Sequence, residues 1–477
     1  MKLFFAASEV APFIKTGGLA DVAGSLPNAL AKLGHDVRVI LPLYSAIPAM
    51  WRRQMTFLKS FHFPLSWRNA YCGLFSLAYQ GLTYYFIDNE YYFQREGLYG
   101  QFDDGERFAY FSRAVVEVPI QLGWSPDIIH CNDWQTSLVP VYLLEARRRE
   151  PLLMHTKSVF TIHNIEYQGQ FDRNILGDVL GLDESYFRED MLSYYGDVNL
   201  VKGAIYAADY ITTVSPTYAK ELQYAFYAHG LEGVIADNYH KFTGILNGID
   251  MEHNNPATDP FLPAPYSAAD PSGKAACKAA LQEKLGLNVD PDVPIIACIS
   301  RLVAHKGYEL VTAAFPKILE HYVQFVVLGT GDWGIESFFR MAAQEYPGRV
   351  SANLMYSAEL ASQLYAGADL LLMPSISEPC GLSQMIAMRY GTVPIVRLTG
   401  GLKDSVPSYN PTTVTGLGFT FGSITPGDLL GAIDRGLETY ETDRPNWAAL
   451  MKRGMTTDFS WDQSAAAYEK VYQQVMR

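Results

Sequence analysis

The sequence predicts an α/β protein made of two successive doubly wound halves. Three observations lead there. Short β-branched or apolar runs alternate with helix-like stretches, and these runs end in polar residues, as buried parallel strands with function at their carboxyl ends do. The alternation stops at a Pro-, Ala- and Asp-rich stretch and then restarts. At 477 residues the chain is also long for a single core.

In the first half, KLFFAASEV reads as a strand, residues 21–33 as an amphipathic helix stopped by Gly34, and DVRVILP as a second strand closed by Pro42. LTYYFID, DIIHC (127–131), SVFTIHN (158–164) and DYITTVS (209–215) are further strands. After GILNGID (244–250), the stretch NNPATDPFLPAPYSAADPSG has no periodicity and reads as the inter-domain connection. PIIACISRL, QFVVLGTGD, DLLLMPS and VPIVR are the strands of the second half, with helical patterns such as GYELVTAAFPKILEHY between them. The expected domains are 1–245 and 246–458, two Rossmann-like halves facing across a deep cleft that binds ligand.

Composition narrows the function. A hydrophobic fraction of 49% with 18% charged residues is ordinary for a soluble globular protein. A formal net charge of −13 argues against nucleic-acid binding through a broad basic surface, so an anionic ligand must be held by a local basic cluster. The five cysteines are scattered without a C-x-x-C pair, which suggests neither a disulfide framework nor a zinc site and predicts a reducing cytoplasm. The start, MKLFFAASEVAPFIK, is too interrupted by charge for a signal peptide, and no stretch approaches the ~18 apolar residues of a membrane span.

Four loops can carry chemistry. In KTGGLADV the Gly17–Gly18 pair lets backbone approach a ligand where a helix begins, Lys15 adds a point charge, and Asp21 can cap the helix or bind a hydroxyl. The spacing matches neither the dinucleotide fingerprint nor the P-loop, and a tight βα turn with a solvent lysine would look the same. In SRLVAHKG, Arg301 and Lys306 suit the oxygens of a diphosphate, although exposed basic residues near loops are common. In PSISEPCGLSQMIAMRYG, Glu378 projects at the sheet edge, a helix opens at about Leu382, and the amides of Gly381, Leu382 and Ser383 face an anion. A simple helix cap is the plainer reading of that carboxylate, and Cys380, with no histidine partner indicated, reads as a packing residue. His163 in TIHNIEYQG and Asp133 with Trp134 in HCNDWQTS stand at strand ends, where they suit either a carbohydrate site or a structural one.

Taken in order, KTGGLADV, HCNDWQTS, FTIHNIEYQG, TTVSPTYAKE, ILNGID, RLVAHKG, PSISEPCGL and RLTGGLKDSV resemble the glycogen and starch synthases of bacteria and plants, retaining glycosyltransferases of the GT-B architecture. The resemblance runs from the first strand to DFSWDQSAAAYEKVY and covers essentially the whole chain. It implies transfer of glucose from ADP-glucose to the non-reducing end of an α-1,4-glucan with release of ADP, with no metal and no organic cofactor. It further implies that residues 459–477 form a helix packing back on the first domain. By position in the family's motifs, Lys15 and the Gly18 backbone lie at the donor's phosphates and sugar, and Arg301 and Lys306 stabilise the departing diphosphate. Glu378 holds glucosyl hydroxyls, with the amides after Cys380 near sugar and phosphate, and His163 lines the reacting face. Asn247 and Asp133 complete the sugar and acceptor side, and Tyr356 stacks on adenine.

The chemistry agrees, because a departing diphosphate needs fixed cations and amide dipoles more than a strong general acid. No D-x-D motif stands out as a metal site, and no carboxylate recommends itself as a nucleophile, which favours same-face attack by the acceptor hydroxyl. Many GT-B enzymes using UDP- or GDP-sugars carry a second glutamate eight positions after the first; here Ile386 stands there. The alternatives are a related GT-B glucosyltransferase with another nucleotide sugar or acceptor, an NAD-dependent oxidoreductase whose fingerprint is missing, and a glucan-binding protein with a decayed site, against which the intact charged set argues.

Overall fold

A computed structural model describes all of residues 1–477. The chain divides into two compact units, one of residues 1–248 with 461–477 and the other of residues 249–460.

The main strands of unit 1 are β1 (Lys2–Ala6), β2 (Asp36–Pro42), β3 (Thr56–Leu65), β4 (Arg68–Tyr79), β5 (Leu82–Asp88), β6 (Ile128–Asn132) and β7 (Lys157–Ile162). A small antiparallel sheet of β8 (Gln170–Phe171), β9 (Ser193–Tyr194) and β10 (Asp197–Asn199) comes next, then β11 (Tyr210–Thr213) and β12 (Phe242–Gly244). The main sheet has the order β12-β11-β7-β6-β1-β2-β5-β4-β3. Seven of its strands are parallel, and they are apolar because helices cover both faces: Leu3, Phe4, Phe5 and Ala6 of β1 are all buried. The hairpin β3–β4 joins antiparallel at one side.

The strand order reverses between β1 and β6, the switch point where doubly wound sheets bind ligands. The helix Trp461–Val475 packs on the helix Gly18–Lys32. Its Tyr472 hydroxyl meets His130 Nδ1 at 2.7 Å, while His130 Nε2 meets Thr161 Oγ1 at 2.6 Å. Burial holds His130 neutral, with its pKa lowered to about 3.

Unit 2 is a six-stranded parallel sheet of β13 (Ile295–Ile299), β14 (Gln324–Leu328), β15 (Val350–Asn353), β16 (Leu370–Met373), β17 (Val393–Arg397) and β18 (Phe419–Phe421). Its order, β15-β14-β13-β16-β17-β18, is the Rossmann arrangement, with the switch point between β13 and β16. The buried cluster around Val311, Phe315, Phe325, Phe339 and Ile433 fills the space between sheet and helices. No helix in either unit is long and apolar enough to cross a membrane.

The expected strands are present, DVRVILP to the residue. The first helix corrects the expectation: it begins at Gly18 rather than near residue 21, with Gly17 as its cap residue. Gly17 therefore caps the helix and Gly18 opens its first turn. The helix expected at about Leu382 begins at Ser383, with Leu382 capping it.

Candidate active site

In unit 1 the loops leaving β1, β6, β7 and β12 all emerge at the carboxyl edge of the parallel sheet, because the strands run the same way. The loop after β1 carries a buried carboxylate that the sequence motifs do not single out. Glu9 Oε2 accepts hydrogen bonds from the Thr16 hydroxyl at 2.9 Å and from the Thr16 and Gly17 amides. Burial raises its pKa despite these donors. Its own strand-end position, six residues before Lys15, was the available signal. Two amides of the KTGGL loop are thus committed to Glu9. The Gly18 amide stands at the first helical position, where no intrahelical acceptor exists. Lys15 Nζ donates to Asp21 Oδ1 at 2.7 Å at the surface, and Asp21 makes no cap hydrogen bond.

Asp133 comes directly after β6 with φ 58° and ψ −179°, a backbone region that belongs almost wholly to glycine. What holds it there is pairing. Its amide donates to Thr161 O at 3.0 Å, and its Oδ1 accepts from the His163 amide at 2.7 Å and the Asn164 amide at 3.4 Å. Desolvation pushes the carboxyl up to about 7, against those amides, which act to lower it. Such a conformation costs about 1–3 kcal/mol, which these hydrogen bonds offset.

His163 has a defined tautomer. Asn132 Nδ2 donates to Ala6 O at 2.9 Å, which leaves Asn132 Oδ1 as the acceptor for His163 Nε2, also at 2.9 Å. The proton is therefore on Nε2, and Nδ1 carries a lone pair. Burial lowers the pKa to about 3, so the ring is neutral. Asn247, after β12, is 6% exposed, and its Oδ1 is buried with no donor. An acceptor left so costs ~1–3 kcal/mol unless something bonds to it.

In unit 2 the switch point is built from the loops after β13 and β16. Lys306 Nζ donates to Glu378 Oε2 at 2.7 Å, and the Ser375 hydroxyl donates to the same oxygen at 2.9 Å. The loops can meet because residue 307 is glycine: at φ 77° a Cβ would lie 2.0 Å from Pro374 O. Arg301, in the same loop as Lys306, is exposed and its guanidinium makes no hydrogen bond or ion pair.

The Glu378 loop is braced from behind by β17 and the TGGL turn after it. The buried Arg397 donates from Nε to Ser375 O at 2.8 Å and from Nη2 to Ile376 O. The Gly401 amide donates to Glu378 O at 3.2 Å, and a Cβ at Gly400 would lie 1.9 Å from that oxygen. The second TGGL segment therefore positions the glutamate loop. The motif is visible in the sequence but this role is not, because it depends on two loops meeting twenty-odd residues apart. Cys380 is buried against the same segment, and Gln384 Nε2 donates to the carbonyls of Cys380 and Gly381 and to Ser405 Oγ. Leu382 and Ser383 begin the short helix Ser383–Arg389 with amides lacking intrahelical acceptors. Tyr356 lies beyond β15 and is 83% exposed.

Residues 2–237 match the family model of the starch synthase catalytic domain, and residues 281–445 match that of glycosyl transferases group 1. Over 478 aligned residues the chain is 51% identical to a glycogen synthase of Geobacillus thermodenitrificans, covering 100% of this chain and 98% of that one. The chain belongs to the glycogen and starch synthase family. A glycogen synthase of Bacillus cereus, 48% identical with both chains fully covered, is a further relative. Among solved structures, the catalytic domain of starch synthase IV from Arabidopsis thaliana, bound to ADP and acarbose, superposes with a TM-score of 0.92 at 40% identity, covering 100% of this chain and 99% of that one. A sucrose-phosphate synthase from Thermosynechococcus elongatus, at 18% identity and a TM-score of 0.61 over 99% and 98% of the chains, shares the fold. As a member of the glycogen and starch synthase family the chain is a GT-B glycosyltransferase, and its activity is glucosyl transfer from ADP-glucose.

Proposed function

We propose that the enzyme extends an α-1,4-glucan at its non-reducing end with retention of configuration, and that residues of both units take part in glucosyl transfer from the donor. The observation that carries this reading is the Lys306–Glu378 pair at 2.7 Å across the unit 2 switch point, with the unpaired Arg301 in the same loop. A salt-bridged glutamate is an acceptor for sugar hydroxyls, while Lys306 keeps ammonium hydrogens for phosphate oxygens. Arg301 supplies the guanidinium fork for the diphosphate, and the Leu382 and Ser383 amides add fixed dipoles. Exposed Tyr356 is assigned to the adenine face.

In unit 1, Lys15 and the Gly18 amide are assigned to the donor's phosphate and sugar. Asp21 offers a carboxylate beside them. Neutral His163 acts through Nδ1 as an acceptor for a sugar hydroxyl, oriented by Asn132. Asn247 Oδ1 accepts another hydroxyl, and Asp133 sets the backbone on which His163 sits.

The step is same-face substitution. The bond from the anomeric carbon to the diphosphate oxygen breaks with both electrons leaving on ADP. The acceptor's 4-hydroxyl forms the new bond on that face and passes its proton to the departing phosphate. Fixed positive groups at the leaving group lower the barrier more than an acid would. Five buried thiols without a disulfide accord with a cytoplasmic setting.

Incubation with labelled ADP-, UDP- and GDP-glucose plus glycogen tests the donor and acceptor together. Incorporation from ADP-glucose is expected. A glucosyl adduct trapped on any Asp or Glu would overturn the one-step scheme.

A further inference from the structure

We infer that His130 is a positioning residue for glucosyl transfer: a buried chain of hydrogen bonds through its ring fastens the last helix to the strand ends that carry Asp133 and His163. This rests on the reading above in which His163 serves a sugar hydroxyl.

The parallel strands of unit 1 are mostly apolar, and His130 is an exception in the middle of β6. It stands between Ile129 and Cys131 and is 1% exposed. Three aromatic rings enclose it: Phe5 of β1 at 4.7 Å between centroids, and Tyr468 and Tyr472 of the helix Trp461–Val475 at 5.4 and 5.8 Å. A valine or phenylalanine would fill such a place with no polar group to satisfy, so packing alone does not account for an imidazole.

Both ring nitrogens are used. Nδ1 meets the Tyr472 hydroxyl at 2.7 Å, and Nε2 meets Thr161 Oγ1 at 2.6 Å. Thr161 Oγ1 in turn lies 2.6 Å from Thr212 Oγ1 on β11. A neutral imidazole offers one donor and one acceptor, and a hydroxyl can be either, so every link of this chain can be made. Tyr472, Thr161 and Thr212 are fully buried. A satisfied polar network inside a core fixes one arrangement of the elements it joins, here β6, β7, β11 and the last helix.

The register gives the network its use. Side chains two apart on a strand share a face. His130 therefore lies on the face of Asn132, whose Oδ1 accepts from His163 Nε2 at 2.9 Å. Thr161 stands opposite Asn132 in the β6–β7 pairing and two residues before His163. His130 thus belongs to the strand that ends at Asp133 and is bonded to the strand that leads to His163. The Asp133 amide donates to Thr161 O at 3.0 Å, and its carboxylate accepts from the His163 amide, so the same two strands are tied again at their ends. A displacement of about 1 Å from a change far from the chemistry can cost on the order of 10²-fold in rate. The other end of the chain, Tyr472, sits on the helix that also packs against Gly18–Lys32. One helix therefore braces both the strand end of His163 and the segment that begins with the Gly18 amide.

The test measures initial rates of the full chain with ADP-glucose and glycogen, well below the Tm of each variant. His130→Phe keeps a ring and removes both bonds; it should lower kcat roughly tenfold and leave the KM for ADP-glucose within about twofold. His130→Gln places an amide near the position of Nε2, keeps the Thr161 link and should recover most of the lost rate. Tyr472→Phe removes one hydroxyl and should cost about threefold. Val471→Ala loosens the same helix at a buried apolar position outside the chain of bonds, so its Tm should fall while kcat stays as in the wild type. Because His130 acts through His163, His130→Phe should add less than about twofold to the loss already present in His163→Ala. A wild-type kcat in His130→Phe with only Tm lowered overturns the inference, and so does a further loss of about tenfold in the His163→Ala background. Equal rate losses in Val471→Ala and His130→Phe also overturn it, since a loosened helix would then be the whole cause. Should His130→Phe fail to fold, Tyr472→Phe takes its place in the same cycle, and its loss of about threefold must vanish in the His163→Ala background. Normal turnover in His163→Ala alone would defeat the functional reading and the inference with it, and that single variant tells this failure apart from the others.

Discussion

At the switch point of unit 1 the loops after β1 and β6 bury two carboxylates, Glu9 and Asp133, each with its pKa raised by burial. At that of unit 2 the loops after β13 and β16 join an ammonium to a carboxylate, with a free guanidinium in the same loop. The strand order is the same around both points. The difference lies in what the groups face. In unit 1 the carboxylates accept from backbone amides and from a hydroxyl, and so shape the loops that present Gly18 and His163. In unit 2 the charges belong to side chains, Lys306 and Glu378 paired with each other and Arg301 exposed and unpaired. In the proposed roles one fold thus serves a half that reads hydroxyls through neutral groups, with Lys15 adding charge at the phosphate, and a half that reads the diphosphate through cations.

The sharpest way to break this contrast is Arg301→Ala. It should lower kcat about 10²–10³-fold and leave Tm within a degree, since the side chain is exposed and unbonded; near-normal turnover would remove Arg301 from the phosphate-reading half. Gly400→Ala should come next. The added methyl meets Glu378 O at 1.9 Å, so the glutamate loop must move. A loss of about 1–3 kcal/mol in stability with at least a tenfold fall in kcat is expected in denaturation and initial-rate measurements.

The pH dependence of unit 1 is a smaller effect with a definite sign. The Asp133 carboxyl is held up to about 7 in the folded chain and lies near 4 when unfolded. The folded state keeps that proton between the two values, so its contribution to stability falls as pH rises through the window. Asp133→Asn removes the effect. The Tm of the variant minus that of the wild type should climb by a few degrees between about pH 4 and 7 and then level off; a constant gap would mean an ordinary carboxylate. His163 and His130, lowered to about 3, lose stability in the other direction as pH falls below about 6.5 in both proteins, so the difference isolates Asp133.

Much of this was legible in the sequence, for identifiable reasons. The parallel strands are short apolar blocks with polar ends, and DVRVILP is bounded by Asp36 and Pro42, which do mark its limits. The β3–β4 hairpin is hidden: Pro64 interrupts its alternation and its turn is Ser-Trp rather than a glycine turn. The charged site residues could be located because they sit in loops at strand ends. Their partners could not. That Lys306 bonds Glu378, that Glu9 occupies the Thr16 and Gly17 amides, and that Gly400 lies under the Glu378 carbonyl each depend on two segments meeting in space. Helix onset at Gly18 is hard to place because glycine disfavours helix interiors and says little about a first turn.

The most direct measurement is a double-mutant cycle on kcat/KM for ADP-glucose between Lys15→Ala in unit 1 and Arg301→Ala in unit 2. Lys15 is ion-paired only at the surface, a contact worth ~0.2–1 kcal/mol to stability, so its loss should scarcely move Tm. Shared action on one donor predicts that the double variant loses clearly less than the product of the single losses, with a coupling of about 1 kcal/mol or more. Strictly multiplicative losses would contradict it, because the two units would then be acting independently.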